Sequence, residues 1–210
     1  MIEREAMYKL TYGLFMLTTT DGQKQNGCIV NTVMMLTDKP NRIVVFVNKA
    51  NYSESLLRAT GVFNVSVLTQ KTPFDVFKQF GFASGRDVDK FADGTYAKTE
   101  NGLNYLSDCA NAVMSAKVID HYDYGTHTLF VAEVTEAKKL SDEPSVSYEY
   151  YLNNIKPKPA AKAEAATEGE KKTHKWVCKI CGYVHEGEEL PADFVCPWCK
   201  HPAEDFEQVE

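Results

Sequence analysis

Four cysteines near the C-terminus form two Cys-x-x-Cys hooks, Cys178 with Cys181 and Cys196 with Cys199, and fourteen residues separate the hooks. This spacing can place four thiolates around one tetrahedral metal ion, and soft thiolate ligands select zinc or iron. The alternatives are disulfide bonds or four unrelated core cysteines, but two matched hooks favour a shared metal. The sequence therefore predicts a metal site that holds either a structural zinc or an electron-carrying iron.

The residues around the hooks are typical of a very small metal-dependent domain. Gly182 follows the first hook, where a tight turn needs a residue without a Cβ atom, and Pro197 lies inside the second hook. A segment of about 35 residues cannot build an ordinary core and needs a metal ion to fold. Aromatic side chains accompany the hooks: Trp176, Tyr183, Phe194, Trp198 and Phe206.

The run CGYVHEGEELPADFVCPWC resembles rubredoxin, in the short form that is fused to rubrerythrin. The resemblance implies one iron per chain, held by Cys178, Cys181, Cys196 and Cys199 and cycling between ferric and ferrous. Hydrogen bonds and burial would tune the potential of such an anionic site. A structural zinc ribbon remains the alternative.

Composition limits the class of protein. With 210 residues and 44% hydrophobic residues, the chain has room for one medium and one small domain. No apolar run approaches the length of a membrane span, and the charged start, residues 1–6, lacks the apolar region of a signal peptide. We therefore expect a cytoplasmic protein that makes no membrane contact.

In a reducing compartment the six cysteines suit metal ligation better than disulfide bonds. The two that lie outside the hooks, Cys28 and Cys109, are expected to be buried thiols.

The negative charge is concentrated at the C-terminus. Residues 176–210 hold two lysines against eight acids, which gives −6, the net charge of the whole chain. The acids are Glu186, Glu188, Glu189, Asp193, Glu204, Asp205, Glu207 and Glu210. This balance excludes nucleic acid as a partner. The acidic surface is either a solvated face that maintains solubility or a docking surface for a redox partner with a basic patch.

Composition also predicts the domain boundaries. Residues 154–174 are mostly Lys, Ala, Glu and Pro and contain no aromatic residue, so they cannot bury enough apolar surface to fold. As a flexible coil this linker would span roughly 25 Å. It separates a main domain, residues 1–153, from the metal domain, residues 175–210.

The main domain has the pattern of an antiparallel β protein. A short helix is predicted over 3–11 and strands over 14–19, 27–36, 42–47, 62–68, 112–122 and 127–140. Asp21-Gly22 marks a hairpin turn, Ser53 is expected to cap a helix that ends before Gly61, and Thr72-Pro73 opens another. Many strands with few short helices predict a mainly β fold, a closed antiparallel barrel. The absence of G-x-G-x-x-G after a strand argues against a Rossmann site.

Four runs in this domain resemble the flavin reductase-like, FMN-binding split barrels: NGCIVNTVMMLT, VFVNKANYSESLLRATGVFNVSVL, FGFASGRDVDKF and GTHTLFVAEV. The resemblance covers nearly all of residues 5–152. It implies an antiparallel FMN-binding split β-barrel with a few short helices. It also implies a homodimer formed through the barrel domain, with FMN near the interface and a rubredoxin module after the barrel.

The resemblance assigns the flavin contacts to three segments: Gly27, Cys28, Asn31 and Thr32; Asn48, Lys49 and Ser53; and Phe82, Ser84 and Lys90. The first would run along the isoalloxazine edge. Lys49 precedes the helix expected at Ser53, so a cation and free amides would meet the phosphate. Gly81 and Gly85 would let the backbone approach the cofactor. The simpler alternatives are that Asn31 and Thr32 face solvent and that Lys49 is a solvated loop residue.

His127 begins the HTLF strand, and the resemblance places a matching histidine near the flavin or the nicotinamide. It is therefore the candidate catalytic residue, although a histidine at a strand start is also a common surface residue. Hydride transfer to a flavin needs no protein acid or base on the reacting atoms, because the cofactor carries the chemistry.

Together these features predict an NAD(P)H-dependent flavin and rubredoxin oxidoreductase. Electrons would pass from NADH or NADPH through FMN to the four-cysteine iron and on to a soluble acceptor. By resemblance, the acceptor is a flavodiiron oxygen or nitric-oxide reductase or a rubrerythrin. One alternative is a protein-to-protein electron shuttle without NAD(P)H activity. Another is a flavin-binding module with a structural zinc ribbon.

Overall fold

The structure, a computed structural model, describes residues 3–7, 9–92, 94–157, 174–179, 183–187, 189–196 and 202–209. The chain divides into two units, Met1–Ile155 and Lys156–Glu210. Most of the predicted linker, residues 158–173, lies outside the described residues. Within the described parts of the chain, no helix is long and apolar enough to cross a membrane.

The larger unit consists mainly of β-strands. Its first half contains α1 (Arg4–Met7), β1 (Phe15–Thr20), β2 (Gln25–Val30), β3 (Val33–Asp38), β4 (Asn41–Asn48), α2 (Tyr52–Thr60) and β5 (Val62–Leu68). Its second half contains α3 (Phe74–Phe77), a π-helical turn (Lys78–Phe82), β6 (Ala97–Lys98), β7 (Asn104–Tyr105), β8 (Ala110–Asp123), β9 (His127–Lys139), α4 (Tyr148–Tyr150) and a second π-helical turn (Tyr151–Ile155). Val, Ile, Phe and Thr recur in the strands, as suits a pleated sheet.

The strand order and one short link show that the main sheet curls until its two edge strands approach each other. Seven antiparallel strands follow the order β2-β1-β5-β8-β9-β4-β3, so β2 and β3 stand at opposite edges. Only Asn31 and Thr32 separate these two strands along the chain. A link this short spans roughly 10 Å, so the two edges must lie close together. The sheet is therefore curled into a barrel whose edges meet at this link.

The long strand predicted over residues 27–36 is wrong, because the chain leaves one edge of the sheet at Val30 and joins the other at Val33. Thr32 extends the pairing of β3 with β4: its carbonyl accepts the N–H of Phe46 at 3.2 Å, and its hydroxyl donates to the carbonyl of Phe46 at 3.2 Å. Apolar patterning alone does not reveal such a change of partner, because both strands have the same composition.

Two apolar clusters cover the two faces of the sheet. Neighbouring residues of β1 belong to different clusters, as expected when successive side chains point to opposite faces. One cluster packs α2 against the sheet and contains Leu17, Cys28, Val45, Val47, Leu57, Phe63 and Phe130. The other packs α3 and the C-terminal end of the unit, and contains Leu14, Met16, Leu68, Phe77, Phe80 and Tyr151. Cys28 is a buried thiol, as expected, whereas Cys109 is only partly buried.

Several local predictions agree with the structure. Gly22 occupies the β1–β2 turn with a φ of 95°, and Gly61 ends α2 with a φ of 68° in the left-handed region. β8 and β9 form the long hairpin expected near the C-terminus of the main domain. The helix predicted over 3–11 is shorter and ends at Met7. By Tyr12 the chain is extended, and its carbonyl accepts the N–H of Tyr148 at 2.8 Å.

The smaller unit is a three-stranded antiparallel sheet. Its strands are β10 (His174–Cys178), β11 (Val184–Gly187) and β12 (Phe206–Val209), in the order β11-β10-β12. A 3₁₀ turn (Ala203–Asp205) leads directly into β12. Phe206 lies edge-on to Phe194 and Tyr183, with ring centroids 5.3 and 6.5 Å away. Aromatic contacts thus supply the apolar surface that so short a segment needs.

Candidate functional site

The first cysteine of the first hook lies at the end of a strand and is sealed from solvent. Cys178 is 0% exposed and pairs with Phe206 across β10 and β12. Its backbone N–H donates to the carbonyl of Tyr183 at 2.8 Å, which ties the end of β10 to the residue before β11. The N–H of Lys179 donates to the carbonyl of Asp205 at 2.8 Å and ties the hook to the 3₁₀ turn.

The second hook starts at the same end of this sheet. Cys196 is also 0% exposed, and the preceding Val195 forms a β-bridge with Pro202. The 3₁₀ turn joins Pro202 to Phe206, the residue opposite Cys178. Two buried sulfur donors from separate hooks, brought to one end of a small sheet, fit a thiolate metal site. The other two predicted ligands, Cys181 and Cys199, lie outside the described residues.

The residues assigned to the phosphate end of the flavin lie around the start of α2. Ser53 is not the N-cap: the helix starts at Tyr52 after Asn51, whose side chain makes no capping hydrogen bond. Ser53 is 0% exposed, and its hydroxyl accepts a hydrogen bond from Asn26 Nδ2 at 2.8 Å. The sequence predicts that Ser53 caps the helix, but its hydroxyl bonds instead to Asn26 on β2. The uncapped helix start fits an anion, because its first N–H groups lack a side-chain acceptor there.

Lys49 is paired with an acid. Its ammonium lies 2.5 Å from Asp123 Oδ2, and this hydrogen bond lowers the pKa of Asp123. The backbone N–H of Lys49 donates to the carbonyl of Thr126 at 3.0 Å. Asn48 caps the same turn by accepting the N–H of Ala50 at 2.9 Å. The predicted phosphate cation is therefore already bound to a carboxylate at the tip of the β8–β9 hairpin.

His127 lies beside these residues in the sheet. It is the direct partner of Asn48 between β9 and β4. Burial lowers the pKa of His127, and its Nδ1 lies 2.9 Å from the hydroxyl of Thr126. The structure thus brings Asn48, Lys49 and His127 together, with the histidine favoured in its neutral form.

A second group of predicted residues surrounds β2. Lys90 is 4% exposed, and its ammonium donates to the carbonyls of Gly27 and Phe80, each at 2.9 Å. Burial lowers the pKa of this lysine. Burial also raises the pKa of Cys28, against the effect of a hydrogen bond from Ser53. Lys90 therefore ties its loop to β2 through Gly27 and to the π-helical turn through Phe80.

The glycines of this region accommodate side chains of the protein itself. A Cβ atom at Gly27 would lie 2.7 Å from the ring of Phe80, and one at Gly85 would lie 1.9 Å from Asn26 Oδ1. The space beside Gly85, which was expected to let the backbone approach the cofactor, is therefore filled by the side chain of Asn26. That amide oxygen is buried and has no hydrogen-bond partner among the described residues.

The remaining predicted contacts lie at the link and in the loop after α3. Asn31 and Thr32 are half-buried at the link that closes the barrel. Phe82 packs edge-on against Phe74, with centroids 5.9 Å apart. Ser84 accepts the N–H of Arg86 at 3.2 Å.

Arg86 connects this loop to the helix start. Its guanidinium lies 4.9 Å from the ring centroid of Tyr52 and donates to the carbonyl of Ala50 at 3.4 Å. The loop after α3 therefore contacts the start of α2 through Arg86.

One buried group near this site was missed at the sequence level. Glu54, in the first turn of α2, is 6% exposed and accepts hydrogen bonds from Arg58 and Thr128. The only signal in the sequence is the Glu-to-Arg spacing of four residues, which is usual for a solvent-exposed helix pair. Its burial against β9 depends on tertiary packing.

Comparison with known proteins identifies both units. The sequence pattern of the flavin reductase like domain matches residues 7–157. The chain belongs to the flavin reductase like family. A rubrerythrin, rubredoxin-like domain matches residues 176–207. This flavin reductase-like protein therefore joins a flavin-dependent oxidoreductase domain to a rubredoxin-like electron-transfer domain, and the two families imply a flavin and iron.

Relatives resemble either the whole chain or the barrel. A high molecular weight rubredoxin of Moorella thermoacetica is 35% identical, covering 99% of this chain and 100% of that protein. A ferric-chelate reductase (NAD(P)H) of Archaeoglobus fulgidus is 39% identical over 70% of this chain and 88% of that protein. Among solved structures, an NADH:FAD oxidoreductase of Streptomyces globisporus matches 69% of this chain and 85% of its own, with a TM-score of 0.61 and 22% identity. The predicted mainly β fold with a C-terminal rubredoxin-like domain is confirmed.

Proposed function

We propose that this protein passes electrons from NADH or NADPH through FMN to a four-cysteine iron and then to a soluble acceptor protein. The observation that carries the proposal is that both domains occur in one chain, and that a high molecular weight rubredoxin matches 99% of this chain. A bound FMN would supply a group that can take up a hydride and release single electrons, and a bound iron would supply one-electron exchange. The roles of the chain's own residues are to bind, orient and shield these groups.

The metal proposal rests on Cys178, Cys181, Cys196 and Cys199. The two described members are fully buried at one end of the small sheet. The purified protein should contain one iron per chain and should be red in the ferric state. A colourless metal domain that contains zinc, with only the yellow of a flavin in the spectrum, would exclude the electron-transfer role.

FMN is proposed to lie along the closing link and over the start of α2. Asn31 and Thr32 would face the ring edge, and Lys49 with the uncapped first turn of α2 would bind the phosphate. The lowered pKa favours the neutral form of His127, which suits a position beside the flavin ring. The nicotinamide of NADH or NADPH becomes cationic when it gives up its hydride, and a positively charged histidine nearby would disfavour that product. Binding of FMN in preference to riboflavin would support the assignment to the phosphate.

The source of electrons is tested by mixing the oxidised protein with NADH or NADPH in a stopped-flow instrument. Loss of flavin absorbance followed by loss of the iron absorbance supports the proposal. If neither nicotinamide reduces the flavin while a reduced protein partner does, the chain is a protein-to-protein shuttle and not a reductase.

We also propose that the barrel forms a homodimer through β3. This edge strand exposes three consecutive apolar side chains, Met34 at 60%, Met35 at 74% and Leu36 at 51%. Exposed apolar edges favour pairing with another chain. Light scattering should give a dimer for the wild type and a monomer for Met35→Lys. A wild-type monomer at micromolar concentration would contradict the proposal.

The acceptor is proposed to dock on the acidic surface of the small unit, through a basic patch of its own. Glu189, Glu204 and Glu207 are exposed there, whereas Asp205 is buried and does not belong to this surface. Reversing the three exposed acids to Lys should slow acceptor reduction and reduce its salt dependence. Reversing Asp142 of the barrel is the control and should change neither.

A further inference from the structure

The first turn of α2 contains a buried acid that the proposed electron transfer does not use. Glu54 Oε1 accepts a hydrogen bond from the hydroxyl of Thr128 at 2.6 Å and another from Arg58 Nη2 at 2.7 Å. Arg58 Nη2 also lies 3.0 Å from the hydroxyl of Thr128. The three side chains form a closed triangle between α2 and β9.

The pairing explains why a carboxylate is tolerated in this interior. An unpaired buried carboxylate is costly, and its neighbours must offset its charge and its lost hydration. Arg58 supplies the charge and Thr128 a second hydrogen bond. The three hydrogen bonds therefore fix the positions of these side chains more strictly than a solvent-exposed ion pair would.

The position of the triangle links the two halves of the proposed flavin site. Glu54 directly follows Ser53, in the turn assigned to the phosphate. Thr128 directly follows His127, in the strand assigned to the ring. Because successive strand residues point to opposite faces, Thr128 faces α2 from the strand that carries His127.

We propose that Glu54 is a positioning residue that, through Thr128, fixes the start of α2 relative to β9 and His127. The inference rests on the proposed FMN site and deepens it. Without the bridge, the helix start moves away from the phosphate while the ring contacts on β2, on the link between β2 and β3 and on β9 remain. The defect is therefore specific to the phosphate and appears as a lost preference for FMN over riboflavin.

The test uses the full-length protein freed of flavin and titrated with FMN and with riboflavin. Thr128→Val removes the hydroxyl and keeps the shape of the side chain. It should weaken FMN about tenfold and riboflavin by less than about threefold, because a displacement near 1 Å is enough to lose such contacts. Thr128→Ser retains the hydroxyl and should restore the preference for FMN.

Thr72→Val is the matched control. Thr72 is a buried threonine, 2% exposed, whose hydroxyl donates to the carbonyl of Cys109 at 3.0 Å, outside the proposed flavin site. It should lower the unfolding temperature and leave the FMN-to-riboflavin ratio of dissociation constants unchanged. The inference is overturned if Thr128→Val keeps the wild-type ratio, or if Thr72→Val changes the ratio equally. A wild type that binds FMN no better than riboflavin would instead overturn the proposed phosphate site.

Discussion

Asp123 is predicted to oppose FMN binding, because its carboxylate is paired with Lys49, the cation assigned to the flavin phosphate. Lys49 Nζ lies 2.5 Å from Asp123 Oδ2, and the two side chains are 38% and 54% exposed. Asp123→Asn removes the charge but keeps Oδ1, which accepts the N–H of Gly125 at 2.8 Å. The hairpin turn is thereby retained, Lys49 becomes available, and FMN should bind more tightly.

The gain should be modest, because an exposed ion pair contributes little in water. We expect FMN to bind about two- to fivefold more tightly in Asp123→Asn at low ionic strength, with the gain falling as salt is added. Riboflavin should bind unchanged. Lys49→Ala should weaken FMN roughly ten- to a hundredfold, the effect of losing one charge-assisted contact. In the Lys49→Ala background, Asp123→Asn should have no further effect.

Fluorescence titration of the flavin-free protein measures all four dissociation constants of this cycle. Glu143→Gln is the control, because Glu143 forms an ion pair of the same 2.5 Å length with Lys71, elsewhere on the barrel. It should leave FMN binding unchanged. The reasoning is refuted if Asp123→Asn weakens FMN, strengthens riboflavin equally, or acts to the same extent with and without Lys49.

Three further predictions concern the metal, a close contact and a titration. Cys178→Ser should abolish bound iron and the red spectrum while FMN stays bound, and Cys109→Ser should retain the iron, as metal analysis will show. Gly85→Ala should lower the unfolding temperature, because the new Cβ would lie 1.9 Å from Asn26 Oδ1, and adding Asn26→Ala should restore part of the loss. Burial holds the pKa of His127 below its ordinary 6.5, so charging the ring opposes folding. Stability present above about pH 6.5 should fall as the pH drops through the folded-state pKa, and His127→Gln should flatten this dependence in urea unfolding.

The parts predicted correctly from the sequence depend on short spacings. The rubredoxin-like run that contains the two hooks, the hairpin at Asp21-Gly22 and the helix end at Gly61 are each specified within a short stretch of sequence. The runs that resemble split barrels add the order of the strands, from which the fold class follows. The assignment of the flavin contacts, and of all four metal ligands Cys178, Cys181, Cys196 and Cys199, stays a prediction.

The parts that sequence reasoning missed depend on contacts distant in the chain. Ser53 has the sequence of a helix cap, yet Asn26 holds it inside the first turn. Lys90 is assigned to the flavin contacts by resemblance, yet two carbonyls of the protein bind its ammonium in the interior. The apolar run over 27–36 reads as one strand, since nothing local marks the residue at which the partner strand changes.

The two-residue link between β2 and β3 also constrains how the barrel assembles as the chain is made. The hairpins β1–β2 and β3–β4 are complete early, but they stand at opposite edges of the sheet until β5, β8 and β9 fill the space between them. β9 pairs with both β4 and β8 and is the last strand of the barrel to be synthesised. β5 pairs with β1 soon after the first hairpin is made, but the β3–β4 hairpin, with its exposed methionines, has no neighbouring strand until nearly all of the domain has been made. A chain that ended before β9 would leave β4 and β8 without the strand that joins them, and such unpaired edges favour aggregation.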